Sequence, residues 1–269
     1  RSWSARSARP RRMPHSPDEL RALVEERLEA LELWPELHGQ AESVRYSIAV
    51  GGKRVRPVIC LAVAEAAGAA PEAALPAACA LELVHTFSLV HDDLPALDDD
   101  EERRGQPSTW KQYGEAVGIL AGDALLAEAF RLATSYDAPH VARELAAATL
   151  GMIGGQYLDV TGTAPDEATL HSLKTGCLFA ASVGLGLWAA GVPEAEQAPW
   201  RAFGAELGLL FQIVDDILDG DGYVLSHGPD GARRLADEAA ERARARLADV
   251  AADTSVLREL VDGLAVRTA

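Results

Sequence analysis

Apolar residues recur at three- and four-residue spacing along most of the chain, and alternation with period two is nowhere sustained, so the pattern predicts helices throughout. Ser16-Pro17-Asp18-Glu19 opens the first helix with a serine cap, proline at the first helical position, acids in the first turn and Glu19 three residues after the cap. This helix is expected to run toward Ile48, where Gly51-Gly52 breaks it, and a second runs from Pro57 to Ala67 before Gly68 and Pro71. Further helices are predicted near 74–93, 115–135, 139–160, 166–190, 195–219, 230–251 and 255–265, with stops at Gly105/Pro107, Pro139, Gly191/Pro193 and Gly228/Pro229. No run reaches eighteen apolar residues free of charge and helix breakers, and the glycine-rich stretch from Leu178 to Val192 reads as a buried helix. The expectation is an all-α bundle in one domain over residues 16–269. Residues 1–15 are expected to be a disordered leader or tag remnant.

Composition supports the helical reading: hydrophobic residues make up 48% but aromatics only 6%. The formal charge is −16, although Arg1, Arg6, Arg9, Arg11 and Arg12 meet no acid in the first twelve residues. So acidic a body repels nucleic acid and anionic lipid, and an anionic substrate would need a local basic patch or a bridging cation. The leader lacks the apolar segment of a secretory signal. Cys60, Cys79 and Cys177 stand singly, without zinc or disulfide spacing, which fits a reducing cytoplasm. No nucleic-acid partner and no integral membrane contact are expected.

Three constellations carry chemistry. In HDDLPALDDDEERRG, Asp92, Asp93, Asp98, Asp99 and Asp100 crowd the end of an apolar helix, where they oppose its dipole and one another. Pro95 is expected to end that helix and let Asp98 fold back toward Asp92, a grouping that suits a hard cation. In FQIVDDILD, spacing puts Asp215, Asp216 and Asp219 on one helical face. Two such clusters could hold Mg²⁺, which completes its shell with water and phosphate oxygens. In GGKRVRP, Lys53, Arg54 and Arg56 follow a glycine pair; the P-loop spacing is absent, but basic residues at a helix entrance grip phosphate well. Arg103-Arg104 adds two donors. A solvated basic turn is the bland alternative for these residues, and a hydrogen-bonded core residue is the bland alternative for His85. Gln156 and Asp159, three apart on one face, fit either a buried hydrogen bond or a supporting role at a site.

Taken in order, GGKRVRP, ELVHTFSLVHDDLPALDDDEERRGQPS, ILAGDALL, GGQYLDV, KTG and FQIVDDILD resemble the trans-isoprenyl diphosphate synthases, which include farnesyl and geranylgeranyl diphosphate synthases. The resemblance runs from about Leu20 to the C-terminus. It implies an isoprenoid-synthase fold with both acidic motifs facing a deep central cavity, usually in a homodimer. It implies that Asp92, Asp98 and Asp215 ligate Mg²⁺, three ions in all with substrate bound, assisted by Asp93, Asp216 and Asp219. It assigns Lys53, Arg56, His85 and Arg104 to isopentenyl diphosphate, Arg103 and Lys174 to the allylic diphosphate, and Thr175 and Gln212 to the developing cation.

The implied reaction joins dimethylallyl or geranyl diphosphate to isopentenyl diphosphate. Phe87 and Ser88, five and four residues before Asp92, would form the floor that limits chain growth, giving mainly the fifteen-carbon farnesyl product, with geranylgeranyl diphosphate as the alternative. After Asp219 the family carries a glycine-rich loop with lysines, whereas this chain reads GDGYVLSHGPDG. Either the loop is truly shortened or a mobile segment is missing from the sequence, and omission is the expected case. A terpene cyclase would carry a mixed Asn/Ser/Glu second motif, and a non-catalytic synthase subunit would lack metal ligands. Neither pattern is present.

Overall fold

The computed structural model describes residues 13–268. Its helices are α1 (Pro17–Glu29), α2 (Gln40–Ala49), α3 (Val55–Ala66), α4 (Pro71–Asp92), α5 (Thr109–Tyr113), α6 (Glu115–Ala133), α7 (His140–Thr161), α8 (Glu167–His171), α9 (Cys177–Ala189), α10 (Ala198–Asp219), α11 (Gly222–Ala248) and α12 (Ser255–Ala265). Apolar α4 and α9 lie among α3, α6, α7 and α10, so their buried leucines, valines and alanines form the middle of the bundle. Two segments, Pro71–Asp92 and Glu167–Ala189, have the length and apolar character of membrane-crossing helices, but 67% and 50% of them is buried inside the bundle.

The predicted start of α1 is present in full: Ser16 Oγ accepts from the Glu19 amide at 3.3 Å, and Glu19 Oε2 accepts from the Ser16 amide at 2.8 Å. The helix does not run on to Ile48. It stops at Glu29, Pro35 begins a single 3₁₀ turn, and His38 takes a φ of 48° before α2 starts. The Trp34 amide inside that break donates to buried Glu128 at 3.1 Å, which ties the turn to α6. Of the expected leader, residues 1–12 lie outside the described residues, while His15 is held by Glu65, with Nδ1 at 2.6 Å.

Three further departures matter for the site. A two-stranded ribbon, β1 (Glu102–Arg103) with β2 (Gln106–Pro107), was not predicted. The expected helix 166–190 is interrupted by a π turn at Ser172–Gly176. The expected helix 230–251 begins earlier, at Gly222, and is broken at Gly228 (φ 72°, ψ 164°) ahead of Pro229.

Candidate active site

The first acidic cluster takes the predicted shape. Helix α4 ends at Asp92, and the chain folds back so that the Asp98 amide donates to the Asp92 carbonyl at 2.9 Å and the Asp100 amide to the Asp93 carbonyl at 3.1 Å. The two leading carboxylates differ sharply. Asp93 is 3% exposed and is bound by Arg103 through Nε, at 3.1 Å, and through Nη2. Asp92 forms no such pair among the described residues: burial pushes its carboxyl up to about 6, with Lys174 opposing and Asp98 and Asp93 adding to the rise. Asp98, Asp99 and Asp100 are exposed.

The ribbon aims the two arginines in different directions. Its loop residues, Arg104 and Gly105, both have positive φ (55° and 74°), the combination whose twist matches a two-residue hairpin. Arg103 turns back to Asp93, while the Arg104 guanidinium lies on the Gly52 backbone, where a Cβ would meet Nη1 at 2.6 Å. A side chain at position 52 would therefore displace the Arg104 guanidinium. Arg103, Arg104, His85, Glu82 and Asp93 line one cavity. Burial first, then Arg56 and Arg104, hold His85 well below the usual imidazole range, so at neutral pH it is an uncharged hydrogen-bonding group.

The three basic residues of GGKRVRP separate. Lys53 is exposed and lines a groove with Pro17, Arg21 and Glu259, apart from the cavity that holds His85 and Arg104. Arg54, at φ 49°, is 4% exposed and donates to Glu25 at 2.9 Å, Glu82 at 2.7 Å and the Ile48 carbonyl at 2.9 Å, which joins α1, α2 and α4 at the start of α3. Arg56 has its Nε buried without a hydrogen-bond partner among the described residues, and its guanidinium carbon is 4.5 Å from the Phe179 ring centre. Burial lowers its pKa, opposed by Glu82 and then Asp215.

Lys174 and Thr175 sit in the π turn, which widens the helix by one residue where α7 approaches closely. A Cβ on Gly155 would lie 2.5 Å from the Lys174 backbone nitrogen, so α7 and the turn meet backbone to backbone. Lys174 Nζ then reaches Asp159 Oδ2 at 2.5 Å and is also the largest charge opposing the rise at Asp92. Asp159 thus supports Lys174, whereas Gln156 Oε1 is buried without a partner among the described residues.

In the second acidic cluster the expected common face fails. Asp215 and Asp219 are exposed, but Asp216 is 4% exposed and points inward, accepting from Gln212 Nε2 at 2.5 Å and from the Tyr223 amide at 2.9 Å. Successive residues on a helix diverge by about 100°, and α11 packing on α10 draws the middle one inside. Protein around Asp215 pushes its carboxyl up, Asp219 pushes it further, and Arg56 opposes. Gln212 keeps Oε1 buried and unpaired. Only Gly220 and Asp221 separate α10 from α11. Glu167, His171 and Asp216 also converge, with one ligand atom from each within 4.8 Å of the others.

Phe87 is buried, edge-on to His91 at 5.1 Å, and the His91 ring meets the Ile119 carbonyl at 2.9 Å. Among the described residues Ser88 bonds its own helix, Oγ donating to the His85 carbonyl at 2.8 Å. The sequence reading passed over Glu82, Phe179, Phe211 and the structural role of Arg54. Glu82 is three residues before His85 and hence on its face, the one signal in the sequence that points to it.

The fold is that of the prenyl-transferring synthases. It matches the crystal structure of a geranyltranstransferase from Thermotoga maritima with a TM-score of 0.82 and 30% identity over 94% of this chain and 99% of that one. It matches an FPP/GFPP synthase from Zymomonas mobilis at 0.81 and 32% over 91% and 98%. The polyprenyl synthetase family pattern matches residues 39–228, and the chain belongs to that family. A geranylgeranyl diphosphate synthase of Cyanophora paradoxa is 45% identical over 66% of this chain and 64% of its own length. A farnesyl diphosphate synthase of Bacillus subtilis is 42% identical over 67% and 66%. The matched stretch therefore spans about two thirds of these curated relatives.

Proposed function

We infer that this chain is a magnesium-dependent prenyltransferase that condenses dimethylallyl or geranyl diphosphate with isopentenyl diphosphate, giving mainly farnesyl diphosphate. The observation that carries this reading is Arg56: a half-buried guanidinium near Glu82 and Asp215, its Nε buried and without a hydrogen-bond partner among the described residues, is a site awaiting an anion. Arg104 and neutral His85 line one cavity, and Arg56 and Arg104 both act on His85 electrostatically, so the three would together cradle the diphosphate of isopentenyl diphosphate. Lys174 serves the allylic diphosphate; Arg103 serves it too, once it is shared with Asp93. Lys53 would have to leave its outer groove to join them.

The donor set fits Mg²⁺, because Asp92, Asp98, Asp215 and Asp219 offer hard oxygens free of arginine partners among the described residues, and Asp92 and Asp215, whose carboxyls the surrounding protein pushes up, gain most from a cation. Three ions would neutralise the departing diphosphate. Asp93 and Asp216 serve by holding Arg103 and Gln212. The unpaired Gln212 Oε1, with Thr175, turns an acceptor toward the allylic cation left when the C–O bond breaks. The isopentenyl double bond then attacks that cation, and a proton passes to the released diphosphate. Phe87 would bound the chain at fifteen carbons, with twenty as the alternative. Exposed Leu150, Ile153, Tyr157 and Val160 recur along one face of α7, and Ile119 and Leu120 are exposed on α6, apolar surface that supports a homodimer.

Two observations favour a catalytically silent family subunit: Asp216 is fully engaged, and the link to α11 is two residues long. Incubation of purified protein with isopentenyl diphosphate and each allylic starter, with Mg²⁺ or with EDTA, decides between the two. Mg²⁺-dependent fifteen-carbon product is expected; no condensation by folded protein with any starter would overturn the enzymatic reading.

A further inference from the structure

Two arginines, two residues apart at the start of α3, are held by opposite means, Arg54 buried and Arg56 half-buried. Arg54 meets two carboxylates and a carbonyl, so its charge is compensated and its donors are used. Arg56 has no carboxylate within ion-pair distance among the described residues. What lies against it is aromatic: Phe179 of α9 at 4.5 Å and Phe211 of α10 at 5.5 Å from the guanidinium carbon, the two rings 4.3 Å apart and inclined by 35°.

This difference has a chemical consequence. A carboxylate partner fixes an arginine but consumes its N–H edge and cancels its charge. An aromatic face fixes the guanidinium plane through its quadrupole, leaves the N–H edge open and keeps the full charge. Phe179 is fully buried, so one ring is immobile, and Phe211 lies one turn before Asp215 on the same face of α10. The second ring thereby places Arg56 relative to the second acidic cluster.

We propose that Phe179 and Phe211 form a platform that positions Arg56, holding its guanidinium plane and presenting an uncompensated N–H edge to a diphosphate group. Both are positioning residues; the contact to the anion belongs to Arg56. The platform rests on the proposed diphosphate chemistry but goes beyond it, because it assigns specificity for one substrate to two side chains that carry no charge. It also explains why an aromatic pair occupies a bundle whose aromatic content is only 6%.

The test uses Phe211→Leu, which keeps an apolar side chain at a half-buried position, with Phe211→Tyr as the conservative control and Phe179→Leu as the second variant. Binding of inorganic diphosphate is measured by calorimetry, and KM and kcat are measured separately for isopentenyl and allylic diphosphates. Phe211→Leu is expected to weaken diphosphate binding and raise KM for isopentenyl diphosphate about tenfold, equal to about 1.4 kcal/mol, with kcat and the allylic KM within twofold. Phe211→Tyr should restore wild-type values. If Phe211→Leu folds, by circular dichroism, and leaves both quantities unchanged, or lowers only kcat and thermal stability, the platform is refuted. Should Phe211→Leu not fold, Phe179→Leu and the recovery by Phe211→Tyr are judged by the same criteria. A wild-type protein that binds diphosphate through Arg56 but condenses nothing would refute the enzymatic reading and leave the platform standing; active protein with an insensitive Phe211→Leu would do the reverse.

Discussion

Asp92→Asn should make the metal-free protein more stable and the enzyme inactive. In the folded chain the Asp92 carboxyl is raised from its ordinary 3.8 to about 6, first by burial and then by Asp98 and Asp93. A raised acid penalises the folded state wherever it is ionised. The penalty is absent below about pH 4, grows as pH rises to about 6, and is constant above that. At about 1.4 kcal/mol per decade the full effect is about 3 kcal/mol, which the partial solvent access of the group reduces to about 1–2. Asparagine is nearly isosteric and carries no charge, so at pH 7 in EDTA the variant should unfold about 1–2 kcal/mol later, a rise of a few degrees in a domain of this size. The gain should vanish near pH 4. With Mg²⁺ and substrate the order should reverse, since only wild type is stabilised by binding, while turnover by the variant falls at least a hundredfold. Chemical denaturation at pH 4, 5.5 and 7 together with steady-state kinetics measures every arm. A variant less stable than wild type at pH 7 without metal would refute the assignment of Asp92 as a strained carboxylate kept for a cation.

Three further outcomes follow from the geometry. Arg54→Ala leaves Glu82 buried without its partner and should lower stability by about 3–5 kcal/mol in urea titrations, far more than Arg56→Ala, whose effect should fall on KM for isopentenyl diphosphate. Gly155→Ala drives a methyl group into the Lys174 backbone and should cut kcat at least tenfold with helical circular dichroism retained, whereas Gly154→Ala, with open space at that position, should be neutral. Phe87→Ala should shift products beyond fifteen carbons, read by chain-length analysis, at about 3–5 kcal/mol in thermal or urea stability.

Much of this molecule is legible along the chain because helices announce themselves locally. The Ser16 capping box, the glycine and proline stops and the three- to four-residue apolar spacing depend on neighbours within one or two turns, and they place α4, α6, α7 and α10 with nearly correct ends. The fold-back of Asp98 on Asp92 was readable for the same reason: Pro95 and the helix end lie within the same short segment. Failures occurred where a distant element decided the outcome. The break at Pro35 follows from the reach of Trp34 to Glu128, ninety-four residues on. The π turn at Lys174 depends on Gly155 pressing from another helix. The Arg104-Gly105 hairpin lacks the Asn or Asp that usually marks such a turn and is held by the docking of Arg104 on Gly52.

The sequence by itself determined which residue types were available to the site: two carboxylate clusters at helix ends, a glycine-led basic motif, and an apolar bundle to carry them. Only the tertiary structure decided how those residues divide. Asp93 and Asp216 are consumed by Arg103, Gln212 and Tyr223, while Asp92 and Asp215 have no ion-pair partner among the described residues and are pushed up by the protein around them. Arg54 is neutralised and Arg56 is not. The physical reason is that charge and identity are properties of a residue, whereas desolvation and hydrogen-bond satisfaction depend on what other helices bring within a few ångströms of it.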